Sequence, residues 1–187
     1  MTQHEYSTGI SNCHYAVRKY QGGVSGELGE LEKLPGAVKL SNRSSSEDRS
    51  FTVRDGDRIY QYTAARKCKE RQRSLEIVSL TKKFLEEVLG WTVNDDGSMT
   101  EGQRPDVHIS LFYETDNGGR PVRQWLYDCV VGELSFDAST IEEGLGIDTY
   151  KLDIIENPDP DRNGNYGRKI SRADNEELFD SWFGLKR

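Results

Sequence analysis

Hydrophobic and polar residues alternate along several stretches of the chain, which is the pattern of β-strands that bury one face. Turn-forming residues separate these stretches, most clearly Pro35-Gly36, Asp55-Gly56 and the segment 116–119. The predicted strands are residues 13–20, 37–40, 51–53, 59–63, 75–80, 107–113, 122–136 and 149–155. The pattern therefore predicts a mainly β protein.

The longest alternating stretch follows the strongest hairpin signal in the chain, residues 116–119 (DNGG). Side chains two positions apart in a strand point to the same face. The expected buried row is Trp125, Tyr127, Cys129, Val131, Leu134 and Phe136. In this row Cys129 is expected to pack as a small apolar residue, because no histidine or basic residue lies close to it in sequence to activate a thiol.

One segment has helical rather than strand periodicity. Apolar residues recur at i, i+3 and i+4 from Phe84 to Leu89, while Glu86 and Glu87 fall on the opposite, solvated face. Thr81 is placed to cap the first turn, and Gly90 to end the helix. A short helix is therefore predicted beside the strands of the β domain.

Three segments lack the pattern of a core. Residues 1–11 are polar and predict an N-terminal arm, and the polar, serine-rich residues 42–50 predict a projecting connection. Residues 157–187 predict a linker followed by a short helix with an aromatic stripe that includes Phe179, Trp182 and Phe183. That helix docks either on its own core or on a neighbouring subunit. The expected division is arm 1–11, β domain 12–156 and C-terminal tail 157–187.

Charge narrows the classes of partner. The net charge is −7, which argues against tight duplex binding, where lysine and arginine must displace counterions from phosphate. An acidic surface is compatible with DNA that slides past without sticking. The one basic cluster is Arg66, Lys67, Lys69, Arg71 and Arg73. With Tyr60 and Tyr62 nearby, it is either a nucleic-acid contact or, more simply, a solvated strand edge.

Catalytic and cofactor motifs are missing from the sequence. It has no nucleophile elbow, zinc-protease motif, phosphate loop or Cys-x-x-Cys pair, so we expect neither enzyme activity nor a cofactor. Asp159, Asp161 and Asn163 match the opening of a calcium loop, but Ile170 stands where the twelfth-position carboxylate belongs. A polar surface turn is the favoured interpretation of that segment.

The cysteine spacing and the distribution of apolar residues bear on cellular location. The three cysteines are widely spaced and predict reduced thiols. The sequence shows no apolar run long enough to cross a membrane, and its polar start is unlike a signal peptide, so we expect synthesis in the cytoplasm and no membrane contact.

The order of several short motifs resembles the major tail protein (tail tube protein) family of siphophages. The most characteristic segment is residues 34–40 (LPGAVKL). The others are residues 13–17 (CHYAV), the strand and helix at 75–80 and 84–90, and residues 111–114 (LFYE), 126–129 (LYDC) and 150–154 (YKLDI). The resemblance covers roughly residues 10–155, and the chain departs from the family pattern at residues 51–55 and 66–73.

This resemblance implies a β-sandwich or partial barrel with one flanking helix, whose copies form stacked hexameric rings around a DNA channel. It implies a structural, non-enzymatic virion protein whose partners are copies of itself and the tail tip, tape measure and tail terminator proteins. The hypothesised subunit and ring contacts are Tyr6, Ile10, Asn42, Arg43, Glu47, Asp48, Arg49, Phe179, Trp182 and Phe183. Asp128 and Glu133 are hypothesised to line the channel.

Two alternatives share the same sequence features. A tube of a contractile tail or secretion machine has the same fold class and differs in its exterior. A small nucleic-acid-binding β-barrel would use residues 66–73 and nearby tyrosines, and would bind DNA in a salt-sensitive way as a monomer.

Overall fold

Strands make up most of the structure, a computed structural model that describes residues 7–21, 24–47, 50–55, 58–63, 67–137 and 149–184. The mainly β class predicted from the alternation is confirmed. The strands are β1 Ser7–Gln21, β2 Val24–Leu28, β3 Glu32–Lys33, β4 Ala37–Glu47, β5 Ser50–Asp55, β6 Arg58–Thr63, β7 Lys67–Ile77, β8 Trp91–Val93, β9 Met99–Glu101, β10 His108–Asn117, β11 Pro121–Asp137, β12 Thr149–Asn157 and β13 Gly167–Ser171. The helices are α1 Lys82–Glu87 and α2 Glu176–Asp180, with 3-10 turns at Pro160–Arg162 and Trp182–Gly184.

One large antiparallel sheet organises the chain in the order β2-β1-β10-β11-β12-β7-β4. β3 adds to β1, whereas β5–β6 and β8–β9 form separate hairpins. Although β1 and β4 are far apart in this order, they lie beside each other, and the N–H of Leu34, just before β4, donates to the carbonyl of Cys13 in β1 at 2.9 Å. The sheet therefore curls back on itself into a partial barrel.

One side of β11 is shared by two strands. β12 pairs with residues 128–137 of β11, and β13 pairs with residues 122–126 on the same side. The intervening residues 158–166 form a loop outside the sheet. The chain returns to β11 at Tyr166, whose carbonyl accepts from the N–H of Tyr127 at 3.0 Å. β12 and β13 thus act as one strand interrupted by a loop.

Each face of the sheet carries its own hydrophobic core. The first core fills the inside of the curl and is covered by α1. The second lies on the opposite face under the C-terminal segment and contains Ala16, Phe112, Trp125, Tyr127 and Trp182. Both faces are therefore covered over the middle of the sheet.

The predicted single buried row on β11 is wrong, because its members divide between these two cores and Phe136 is 51% exposed. Trp125 and Tyr127 belong to the second core, whereas Cys129 and Val131 belong to the first. The pairing of β10 with β11 shifts by one residue between the pair Ile109–Cys129 and the pair Leu111–Leu126. An extra residue in one strand turns every following side chain to the other face.

The predicted helix is confirmed, with its cap. The Thr81 side chain accepts from the N–H of Phe84 at 3.2 Å, and Phe84 is fully buried in the first core. The predicted hairpin at residues 116–119 is also confirmed as the β10–β11 turn. There Gly118 and Gly119 have φ of 64° and 83°, and Asp116 accepts from the N–H of Gly119 at 2.7 Å.

Two predicted irregular segments are strands instead. Residues 7–11 of the expected arm belong to β1 and pair with β10, and residues 42–47 of the expected polar connection belong to β4 and pair with β7. Ile10 packs against the first core. These polar sequences lack the alternation that predicts a strand. They are strands because their backbones are hydrogen-bonded to strands distant in sequence. Tyr6, Asp48 and Arg49 lie outside the described residues.

Gly90 should be far less tolerant of a side chain than Gly97, although both have positive φ. A Cβ at Gly90 (φ +75°) would lie 2.3 Å from the carbonyl oxygen of Gln103, whereas a Cβ at Gly97 (φ +83°) would meet nothing within 4 Å. We expect Gly90→Ala to lower the free energy of unfolding by about 2 to 3 kcal/mol and Gly97→Ala by about 1 kcal/mol. Urea denaturation of both variants measures the difference. Equal losses would contradict the close packing at Gly90.

Candidate assembly surfaces

The C-terminal aromatic residues lie on the chain's own core. Phe179 is 3% exposed and Trp182 is fully buried, while Phe183 is partly buried against the second core. Of the two alternatives for this segment, the structure shows docking on its own sheet. The assignment of Phe179 and Trp182 to a subunit contact is therefore corrected, because their side chains are covered within one chain.

Arg123 holds the C-terminal segment in place. Its Nε donates to Glu114 at 2.8 Å and its Nη1 to the Phe179 carbonyl at 2.5 Å. The guanidinium also lies 4.0 Å from the Phe179 ring centroid and 4.7 Å from that of Phe183. A guanidinium over aromatic faces adds electrostatic attraction to the apolar packing. No local motif marks Arg123, since its partners Phe179 and Phe183 lie in a distant part of the sequence.

The calcium-like motif of the loop 158–166 forms an ion pair instead. Asp159 is fully buried, and its Oδ2 accepts from Arg18 at 3.0 Å and lies 3.3 Å from Nε of Arg162. Its Oδ1 accepts from the N–H of Asp161. Two guanidinium groups neutralise the carboxylate that a cation would need, so the geometry favours the surface-turn interpretation of Asp161 and Asn163. In the described ranges, no three His, Cys, Asp or Glu side chains converge as a metal site.

The two residues expected to line a channel differ in exposure. Asp128 is 3% exposed, and its Oδ1 lies 2.7 Å from Nδ1 of His108. The expectation for Asp128 is therefore corrected, because its carboxylate faces a neighbouring strand rather than open solvent. Glu133 is exposed, and its channel role stays a prediction.

The described thiols do not suit nucleophilic chemistry. Cys13 and Cys129 are buried in the first core. Burial raises the pKa of the Cys13 thiol to about 12 and that of Cys129 well above its usual value. A thiol with such a pKa carries almost no thiolate at neutral pH.

The predicted basic cluster is not a uniform cationic strip. Arg73 forms an ion pair with Glu156, and its Nη1 donates to the Tyr113 hydroxyl at 3.0 Å. Burial raises the pKa of Tyr113 to about 12, so this phenol stays a neutral partner. Arg71 stacks 4.1 Å from the Tyr166 ring centroid. Arg66 lies outside the described residues, as do the side chains of Lys67 and Lys69.

The clearest candidate surface for self-association is the edge of β4 that is not hydrogen-bonded to β7, which also lies beside β1. Within the described residues β4 ends the sheet order and is hydrogen-bonded only to β7. Residues 41–47 of this strand (SNRSSSE) contain no apolar side chain. Asn42 is exposed, and Arg43 and Glu47 lie on the same strand. A long edge with unpaired backbone groups is a template for another strand.

Comparison with known proteins yields structural likenesses only. No model of a known protein family matches the chain, and no curated protein sequence matches it. A chain of the extended sheath/tube terminator of the PVC extracellular contractile injection system is 13% identical, covering 89% of this chain and 99% of its own, with a TM-score of 0.41. A chain of the extended PVC sheath-tube complex is 12% identical, covering 85% and 88%, with a TM-score of 0.39.

The tube-terminating cap of the anti-feeding prophage shows a similar degree of likeness. Its chain is 10% identical, the match covers 83% of this chain and 87% of the cap chain, and the TM-score is 0.38. Similarities this low define neither a family nor a function for the chain. In the part of the chain that the structure describes, no helix is long and apolar enough to cross a bilayer.

Proposed function

We propose that this chain is a structural, non-enzymatic subunit of a bacteriophage tail or a related particle, and that copies associate through the edges of their sheets. The observation that supports this most is the edge of β4 that is not paired with β7, because β4 ends the large sheet order and is polar over residues 41–47. An unpaired strand edge is a liability for a monomer, and pairing with a neighbouring copy removes it. Heterologous pairing repeated around an axis produces rings or filaments.

In its finer form the proposal is a tail tube made of stacked hexameric rings that conducts DNA. The resemblance of residues 10–155 to major tail proteins supports this form, and the net charge of −7 suits a wall along which DNA slides. Residues 1–6, residues 42–50, which include the end of β4, and Glu133 are the proposed contact and channel positions. The tail tip, tape measure and tail terminator proteins are the proposed partners, and the virion is the proposed location after synthesis in the host cytoplasm.

Electron microscopy of the purified protein tests this proposal. We expect rings or hollow tubes on concentration, and we expect the variant Asn42→Lys with Ser44→Lys to reduce them strongly, because lysines on an edge oppose strand pairing. The control, Thr92→Lys with Glu101→Gln, changes the net charge equally on the exposed β8–β9 hairpin. A wild-type protein that stays monomeric at every concentration would contradict the proposal. Equal assembly of both variants would exclude the β4 edge.

A further inference from the structure

A cationic cleft opens beside the C-terminal strand on the face that also carries the first core. A hollow of about 250 Å³ lies between β7, β11 and β13 and is lined by Arg71, Gln124, Glu156 and Lys169, among others. A second hollow of about 360 Å³ shares Gln124 and Lys169 and extends to Arg120. The two hollows adjoin at these shared residues and are together called the cationic cleft.

Most cations of this cleft have no acidic partner in the described part of the chain. Glu156 pairs with Arg73, and Asp174 is the acidic residue that lines the second hollow. Among the residues that the structure describes, Arg71, Arg120 and Lys169 form no ion pair with an acidic side chain. Three unpaired cations stand out on a chain of net charge −7.

The chain also presents an acidic turn, residues 27–31, which comprises the end of β2 and the link to β3. Glu27 and Glu30 are exposed there, and neither forms an ion pair with a described residue. The turn is fixed to β1, because the N–H of Gly29 donates to the Val17 carbonyl at 2.8 Å. A Cβ at Gly29 would lie 3.1 Å from that same oxygen, so the turn approaches β1 as closely as glycine allows. The two carboxylates are therefore held on a firm support.

We propose that the cationic cleft of one copy receives the acidic turn of a second copy. The turn cannot enter its own cleft, because β1, β10 and β11 separate β2 from β13 in the sheet. β2 and β13 also lie near opposite ends of β10. β2 pairs with β1 at Arg18, which faces His108 at the start of β10. β13 pairs with β11 at Val122, which faces Thr115 near the end of β10. The contact joins two different surfaces of the chain, and when each copy passes it on to the next, the result is a ring or a filament.

This inference rests on the proposed function, and two charge reversals test it. The first variant carries Arg71→Glu and Lys169→Glu, and the second carries Glu27→Lys and Glu30→Lys. At low salt, each variant alone should need a protein concentration at least roughly tenfold higher than the wild type for half-maximal assembly. Mixed together, they should assemble as well as the wild type, because the acidic cleft of one then faces the basic turn of the other. Light scattering and electron microscopy give the readout.

The control is Glu86→Lys with Glu101→Lys, which reverses two exposed charges elsewhere and should leave assembly unchanged. If the wild type assembles but the reversals do not weaken it, or the mixture does not recover, the inference is overturned and the proposed function stands. A wild type that never assembles overturns both. A labelled DNA oligonucleotide that binds the wild type, loses binding in the first variant and leaves assembly unaffected would assign the cleft to DNA instead.

Discussion

Trp182→Ala should lower the free energy of unfolding by about 3 to 5 kcal/mol, because it removes a fully buried indole from the second core. The indole packs with Phe112, Trp125 and Tyr127. Since α2 and the following 3-10 turn contribute few other buried side chains, we also expect the C-terminal segment to detach from the sheet. Urea denaturation gives the first quantity, and limited proteolysis near residue 175 reports the second.

Trp182→Phe is the matched control for that experiment. The indole Nε1 is buried and has no hydrogen-bond acceptor among the described residues, so a phenyl ring loses no polar contact. We expect the phenylalanine variant to lose less than about 1.5 kcal/mol. If the alanine variant unfolds no more easily than this control, the segment is not held by Trp182.

Asp159→Asn should also destabilise the fold by about 3 to 5 kcal/mol, because it leaves a buried guanidinium without its counter-charge. The side chains of Arg18 and Asp159 are 6% and 0% exposed, and their closest atoms are 3.0 Å apart. Asp161→Asn, at an exposed position of the same loop, is the control and should change stability by less than about 0.5 kcal/mol.

A double-mutant cycle separates the pair from its surroundings. Arg18→Met with Asp159→Asn should be more stable than the sum of the two single losses predicts, because neither charge is then buried alone. Additive losses would show that Arg18 and Asp159 act independently, and the role assigned to the pair would be wrong.

Local signals were enough to predict the elements whose partners are close in sequence. The β10–β11 turn needs only Asp116 and two glycines, and α1 needs only the Thr81 cap and its apolar stripe. Both structures form from hydrogen bonds that span three residues. The mainly β class followed from alternation for the same reason, since strand periodicity is a property of one segment.

Features that depend on distant partners could not be predicted in this way. The bulge on β11 follows from its register with β10, and no single-strand pattern shows that Asp128 turns towards His108. Residues 42–47 have the composition of a polar connection, and they form a strand because their backbone pairs with the distant strand β7. Asp159 looks like a cation ligand until Arg18, 141 positions away, is placed beside it. The cationic cleft likewise joins Arg71 to Lys169 only in the folded sheet.

The pairing of Arg18 with Asp159 also constrains when the chain can finish folding. A chain grows from its N-terminus, so β1 leaves the ribosome long before the loop that carries Asp159. Until then the carboxylate that pairs with Arg18 in the folded chain has not been made, and burying the guanidinium without it would be unfavourable. Nascent chains that end before residue 159 should therefore keep β1 sensitive to protease, and resistance should rise once the loop has emerged. The last fifth of the polypeptide thus sets the time at which its first strand becomes native.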